Sequence, residues 1–156
     1  MIELILVRHA KSDWGDAGLR DHERTLNERG LRDAPAMAER LVAAGAEVER
    51  ILSSTAVRAR TTAAEFGAAL DVEVDLDPEL YLAPAETLFE KAGESGAASM
   101  MVVAHNLGIS DLAAQLSNGG IEHMPTCAVA RFAWDAESWE EIAGRAADRW
   151  ELNTPR

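Results

Sequence analysis

Two histidines, His9 and His105, each follow an apolar run with no spacer, and Arg58 lies between them in the chain. Met1-Ile-Glu-Leu-Ile-Leu-Val7 ends on Arg8-His9-Ala10, and Ser99-Met-Met-Val-Val-Ala104 ends on His105-Asn106. Apolar runs of that length read as buried strands. A buried strand delivers the residues just beyond its end to the rim of a sheet, where ligands of open α/β sheets bind. For one junction alone, surface residues after a strand are an adequate reading; its repetition argues for a site. Ser53-Ser54 closes a third short run, and Arg58 falls about one turn into the helical pattern after it, close to free N–H groups that favour an anion. Asn106 fits an N-cap for the helix after the second histidine. Two arginines, two histidines and two helix starts around one small volume suit phosphate, because arginine matches its oxygens with a planar fork.

Phosphoryl transfer needs in-line positioning and stabilisation of charge on the equatorial oxygens. A neutral imidazole is a good nucleophile that titrates near neutrality, and His9 fits that role at a fixed strand end. Arg8, Arg58 and His105 would hold the phosphoryl oxygens. A leaving group needs a proton, and Glu79 in Asp77-Pro-Glu-Leu-Tyr81 is the candidate acid, with a solvated loop carboxylate as the alternative. Lys11, Ser12, Arg24 and Asn106 are further candidates for contact with substrate, though Lys11 and Ser12 fit a solvated loop equally well. His22 and His123 read as surface histidines in polar loops, with His22 beside Arg24 at the mouth of the pocket as the other reading. The histidines show no zinc-binding spacing.

The elements that must position these groups alternate strand and helix. Strands are expected at 2–7, 50–53, 72–75, 99–104, 127–134 and 150–152. Helices are expected at 26–44, 54–70, 84–92, 107–116 and 137–147. The first of them opens on a capping-box pattern, Thr25-Leu-Asn-Glu28, carries Pro35, which bends it, and closes at Gly45. Such alternation implies a mostly parallel sheet with helices on both faces. Length fits a single domain spanning 1–156. The tryptophans at 134, 139 and 150 read as core packing near the C-terminus.

The chain carries a formal net charge of −12, which excludes general nucleic-acid binding through a basic face. Residues 1–60 hold ten basic and ten acidic side chains, whereas 61–156 hold five and seventeen. An anion site in the first part is therefore plausible, and the acidic remainder disfavours long polyanions. No stretch is long enough to span a membrane, and Met1 leads straight into a strand pattern, so a cytoplasmic protein is expected. The lone Cys127 reads as a small buried apolar residue.

Val7-Arg8-His9-Ala10, Ser53-Ser54-x-x-x-Arg58-x-x-x-Thr62 and Val103-Ala104-His105-Asn106 resemble the histidine phosphatase superfamily. That superfamily includes cofactor-dependent phosphoglycerate mutases and acid phosphatases. Arg8-His9-Ala10-Lys11-Ser12, Asp21-His-Glu-Arg24-x-Leu26, Leu80-Tyr81-Leu82-Ala83 and Pro125-Thr126-Cys127-Ala128 look most like its small SixA-type phosphohistidine phosphatases. The resemblance covers nearly the whole chain and implies a phosphoglycerate mutase-like three-layer α/β/α sandwich. It implies that His9 is phosphorylated and then hydrolysed by water, that Arg8, Arg58 and His105 form the phosphate pocket, and that no metal or cofactor is needed. Much of the superfamily has glycine at Ala10, where a methyl is tolerated unless φ is positive. Residues 76–98 leave little room for the insertion that covers substrate in the mutases, so an open site is expected, suited to a bulky or protein-borne phosphate. The SixA branch does not share the mutases' surroundings for Glu79, but a phosphoramidate leaving nitrogen needs less help from an acid. Three activities are therefore weighed: a phosphatase acting on a phosphorylated small molecule or a phosphohistidine-bearing protein, a mutase, and a non-catalytic phosphate-binding module.

Overall fold

The computed structural model describes residues Met1–Arg156. Six strands form one sheet: β1 (Ile2–Arg8), β2 (Arg50–Ser53), β3 (Val74–Leu76), β4 (Ser99–Ala104), β5 (Val129–Trp134) and β6 (Arg149–Asn153). Their order across the sheet is β3-β2-β4-β1-β5-β6. The first four pair in parallel, and β5 and β6 extend the sheet antiparallel. Five helices, α1 (Glu28–Ala43), α2 (Val57–Leu70), α3 (Ala85–Glu94), α4 (Gly108–Leu116) and α5 (Trp139–Ile142), complete an α/β/α sandwich.

Side-chain alternation divides the core in two. Leu4, Leu6, Met100, Val102, Phe132 and Trp134 face α3, α4 and α5. Ile5, Val7, Ile51, Met101, Val103 and Val129 face α1 and α2. Strands covered on both faces must be apolar at consecutive positions, which is why β1 and β4 read as unbroken apolar runs. The chain leaves β1 for a helix on one face and leaves β4 for a helix on the other. A crevice therefore opens between these two neighbours at their carboxyl ends.

Two glycines fix the walls of that crevice. A Cβ on Gly30 in α1 would lie 2.2 Å from the Lys11 carbonyl oxygen, so the helix seats directly on the backbone after β1. A Cβ on Gly108 would lie 1.9 Å from the Ala83 carbonyl oxygen, so α4 seats on the loop after β3.

Several local expectations are corrected. α1 starts later than the capping box implies: Asn27, not Thr25, caps it, accepting from the Gly30 N–H at 2.9 Å. The reason is that Leu26 is held in an isolated bridge to Ser12 and cannot join the helix. Asn106 does not cap α4, whose cap residue is Leu107; its Oδ1 accepts from Ser110 Oγ at 2.5 Å. The third strand is displaced to Val74–Leu76, and helix forms over only Trp139–Ile142 of 137–147. Trp134 and Trp139 are core residues, but Trp150 is partly exposed on the edge strand.

Candidate active site

In the parallel pairing of β1 with β4, Arg8 lies opposite Ala104. His9 and His105, one residue beyond, therefore leave the sheet side by side, with ring centroids 5.2 Å apart and planes tilted by 51°. Both rings are buried. His9 Nδ1 lies 2.7 Å from the Ala10 carbonyl oxygen, which can only accept, so Nδ1 carries the proton and Nε2 carries the lone pair. The Ala10 N–H donates to Thr62 Oγ1 at 3.0 Å, and Thr62 donates to the Arg58 carbonyl at 2.8 Å, tying the β1 terminus to α2. Ala10 is fully buried and its φ is not positive, so its methyl is accommodated where glycine is common. His105 Nε2 lies 2.7 Å from Ser54 Oγ, and the Tyr81 ring meets the imidazole edge-on at 5.5 Å. His105 Nδ1 is buried with no partner.

Both imidazoles resist protonation. Burial lowers the His9 pKa to about 3, opposed by the Ala10 carbonyl and reinforced by the charges of Arg58, Arg8 and Arg24. Burial also takes His105 to about 3, with His9 and Arg58 adding to the effect.

Three arginines surround the pair. Arg8 donates from Nη1 to the Met124 carbonyl at 3.0 Å, while its Nε is buried and unpartnered. Burial and then Arg58 lower its pKa. Arg58, at the start of α2, donates to the Asp21 carbonyl at 2.7 Å and to Asp21 Oδ2 at 3.0 Å. Arg24 donates to Asp21 Oδ1 at 2.6 Å, to the Asp13 carbonyl at 3.2 Å and to Ser12 Oγ, while Trp14 covers its guanidinium at 3.2 Å. Tyr81 donates its hydroxyl to Asp21 Oδ2 at 2.5 Å. Burial would raise the Asp21 carboxyl, but hydrogen bonds from Tyr81 and Arg58, with the Arg58 charge and Arg24, hold it at about 2.

Arg8, His9, Arg58 and His105 therefore meet, as their spacing predicts, with Ser12 and Arg24 in the wall and Lys11 half-buried next to His9 and Ala10 in the chain. Glu79 is not brought into this group. The short 3₁₀ turn Pro78–Leu80 buries Leu80 and sends Glu79 outward to Lys91 Nζ at 2.6 Å, with the carboxylate side chain two-thirds exposed. The Asn106 side chain is half-buried and its oxygen is engaged by Ser110. His22 is not a free surface residue: Nε2 lies 2.8 Å from Thr55 Oγ1 and its ring meets Tyr81 edge-on at 4.9 Å. His123 is exposed. Sequence reasoning missed Asp21 and Tyr81. The signal for the first was its i,i+3 spacing to Arg24; the second is the chain's single tyrosine, two residues past Glu79.

The loops that carry site residues also carry exposed apolar side chains: Trp14 after β1, Leu82 after β3 and Leu107 after β4, the last 76% exposed. No group of three or more His, Cys, Asp or Glu side chains is placed to hold a metal ion, and no helix is long and apolar enough to cross a membrane.

Comparison with known proteins places this geometry in a family. Residues 4–81 match the histidine phosphatase superfamily (branch 1). An uncharacterised chloroplast protein of Arabidopsis thaliana is 34% identical over 151 residues, covering 88% of this chain and 69% of that one. A crystal structure assigned as the phosphohistidine phosphatase SixA of Agrobacterium tumefaciens superposes with a TM-score of 0.78 at 28% identity, covering 98% and 96% of the two chains. The protein histidine phosphatase SixA in complex with tungstate superposes with a TM-score of 0.74 at 26% identity, covering 98% and 95%.

Proposed function

The chain belongs to the histidine phosphatase superfamily, in its SixA-type branch, and on that premise we propose that it hydrolyses a protein-borne phosphohistidine through a covalent phosphohistidine on His9. The neutral ring of His9 presents the Nε2 lone pair to the pocket. Nε2 attacks phosphorus in line as the bond to the leaving ring nitrogen breaks; that nitrogen keeps the electron pair, and because the second nitrogen of the substrate ring carries a proton, the leaving group departs as a neutral imidazole. Charge on the three equatorial oxygens is met by Arg8, Arg58 and His105. Water then attacks phosphorus, the P–Nε2 bond breaks, and inorganic phosphate leaves with His9 restored. The residues present perform each step without a metal ion. Lys11, Ser12, Arg24 and Asn106 line the approach, with Arg24 acting chiefly on Asp21.

The observation that carries this reading is the pair of buried, unpartnered nitrogens, Arg8 Nε and His105 Nδ1, beside a nucleophile-ready imidazole. Buried polar groups are normally satisfied, so these two await a polar partner. A protein-borne phosphate is favoured because only residues 77–84 separate β3 from α3, too few to roof the pocket, and Trp14, Leu82 and Leu107 offer apolar contact on the loops that carry site residues.

Purified protein should release phosphate from an aryl phosphate and from a phosphohistidine protein in the presence of a chelator, and should trap labelled phosphate on His9 after acid-free quenching. Leu107→Ser should slow the protein substrate and spare the aryl phosphate. Release that survives His9→Ala rejects the covalent route.

A further inference from the structure

We propose that Ser54 is a positioning residue that fixes His105 as the Nδ1–H tautomer, so that a neutral imidazole donates a hydrogen bond into the phosphate pocket. Donors and acceptors around this contact must balance among themselves, because water does not reach it.

Ser54 follows the last residue of β2 and is fully buried. Its backbone is committed: the N–H donates to the Val103 carbonyl at 3.0 Å, and the carbonyl accepts from Ser53 Oγ at 2.9 Å. Its Oγ accepts the Ala56 N–H at 3.3 Å. One function remains, the hydroxyl proton, and the acceptor within reach is His105 Nε2 at 2.7 Å. If the ring instead carried its proton on Nε2, the hydroxyl oxygen would accept it with its second lone pair, and the hydroxyl proton would be left buried without an acceptor. Leaving a buried donor unsatisfied costs more than making an average hydrogen bond gains. The inventory therefore selects hydroxyl to Nε2, which places the ring proton on Nδ1.

A doubly protonated ring would evade this count, but burial and the neighbouring arginines keep His105 uncharged in the free protein. Nδ1 is the atom buried without a partner. The opposite tautomer would aim a lone pair at a phosphoryl oxygen and repel it. With Nδ1–H the pocket gains a donor already oriented, with no extra charge beside His9, whose ring lies 5.2 Å away. The same device serves both histidines by different means. A backbone carbonyl at 2.7 Å puts the His9 proton on Nδ1 and frees Nε2 to attack, whereas a hydroxyl donor at Nε2 of His105 puts its proton on Nδ1 to bind.

This assignment rests on the phosphatase reading for its purpose, but not for its test. Long-range ¹H–¹⁵N spectra of protein labelled at histidine nitrogens report the tautomer directly, with the His105 signals identified by their loss in His105→Gln. Wild-type protein near neutral pH should show Nδ1 protonated and Nε2 bare. A protonated Nε2 overturns the proposal whether or not the protein turns over substrate. Nδ1–H in a protein without phosphatase activity would leave the tautomer standing and reject the function instead. In Ser54→Ala the ring should move toward the Nε2–H form that free imidazoles favour, and affinity for inorganic phosphate should fall roughly tenfold, the scale of one lost hydrogen bond to a charged group. Ser54→Thr keeps the hydroxyl and should recover both. An unchanged His105 spectrum in folded Ser54→Ala would show that the serine does not set the tautomer. Where Ser54→Ala fails to fold, a protonated Nε2 in the wild-type spectrum still overturns the proposal, and Ser54→Thr with Nδ1 protonated supports it.

Discussion

Two charge clusters, each joining loop residues to a neighbouring helix, have opposite compositions. Around Asp21, one carboxylate meets Arg24 and Arg58, with Arg8 close behind. Around Lys91, one ammonium meets Asp77 at 3.3 Å, Glu79 at 2.6 Å and Glu94 at 3.6 Å. The guanidinium groups of the first are almost wholly shielded from solvent, whereas the Glu79 and Glu94 side chains of the second are about two-thirds exposed. Surplus charge at an exposed cluster is hydrated and costs little. Surplus charge in a buried cluster is held against a desolvation penalty, and the uncompensated part is a standing demand for a counterion. That difference is the physical ground for proposing the first cluster as the anion site, while the second fastens a loop. Lys91 grips residues 77–79, and so steadies the segment that carries Tyr81 to His105.

The largest effect should separate the clusters outright. Arg58→Ala removes a donor preorganised for the transition state and should lower kcat/KM on an aryl phosphate by about 10²–10³. Lys91→Met should lower it by less than about threefold. Comparable losses in the two variants would mean that the buried surplus has no special standing. A smaller effect should come from Asp21→Asn, which deletes the charge that balances the arginines. Its carboxyl, held at about 2, is ionised through the working range, so its removal should strengthen inhibition by inorganic phosphate about fivefold, equivalent to about 1 kcal/mol of relieved repulsion. The gain should shrink as salt is raised. Weaker inhibition would instead show that Asp21 serves chiefly to hold Arg58 in place.

The contrast also explains what could be read from the chain alone. Apolar runs terminating in His9 and His105 fixed two strands, their shared edge and the heart of the site, because burial on both faces leaves an unmistakable pattern in β1 and β4. Arg58 was legible because it lies in the first turn of α2. Asp21 was not, since its place depends on the path of residues 11–24, a stretch with a single 3₁₀ turn and no periodic pattern. Glu79 was misplaced for a related reason. A loop carboxylate near an expected cationic pocket invites assignment to it, but the competing cation, Lys91, lies twelve residues on in another element. Its pull becomes visible only when α3 folds back beside the turn. Asn27 displaced Thr25 as the helix cap because the bridge of Ser12 to Leu26 is a tertiary contact. Local sequence reports periodicity; it does not report which distant partner reaches a side chain first.

Titration offers a further way to sharpen the comparison. In the unfolded chain both site histidines take up protons near pH 6.5, whereas in the folded protein they resist until about pH 3. The unfolded state therefore binds more protons between these limits, and stability is full above 6.5 and lost as pH falls. Each imidazole contributes a slope of up to about 1.4 kcal/mol per pH unit. Denaturant midpoints measured from pH 7.5 down to 5, a range in which ordinary carboxylates stay largely ionised, should hold level to about pH 6.5 and then fall. A His9→Asn, His105→Gln double variant should be flatter. An equally steep profile in that variant would move the cause away from the pocket.

The smallest effect is expected from Glu79→Gln. The amide keeps the shape of the side chain, and Lys91 retains Asp77 and Glu94, so stability should change by no more than about 0.5 kcal/mol. Turnover should change by less than about threefold on an aryl phosphate and on an alkyl phosphate alike, because the carboxylate is bound to an ammonium and turned away from the imidazoles. The pairing of substrates makes the measurement decisive. An aryl oxide leaves without protonation, whereas an alkoxide does not, so a loss confined to the alkyl phosphate would show Glu79 swinging from Lys91 to protonate the leaving group. In that event the exposed cluster would be a reservoir for the buried one, and Lys91→Met, by releasing the carboxylate, should accelerate the alkyl substrate.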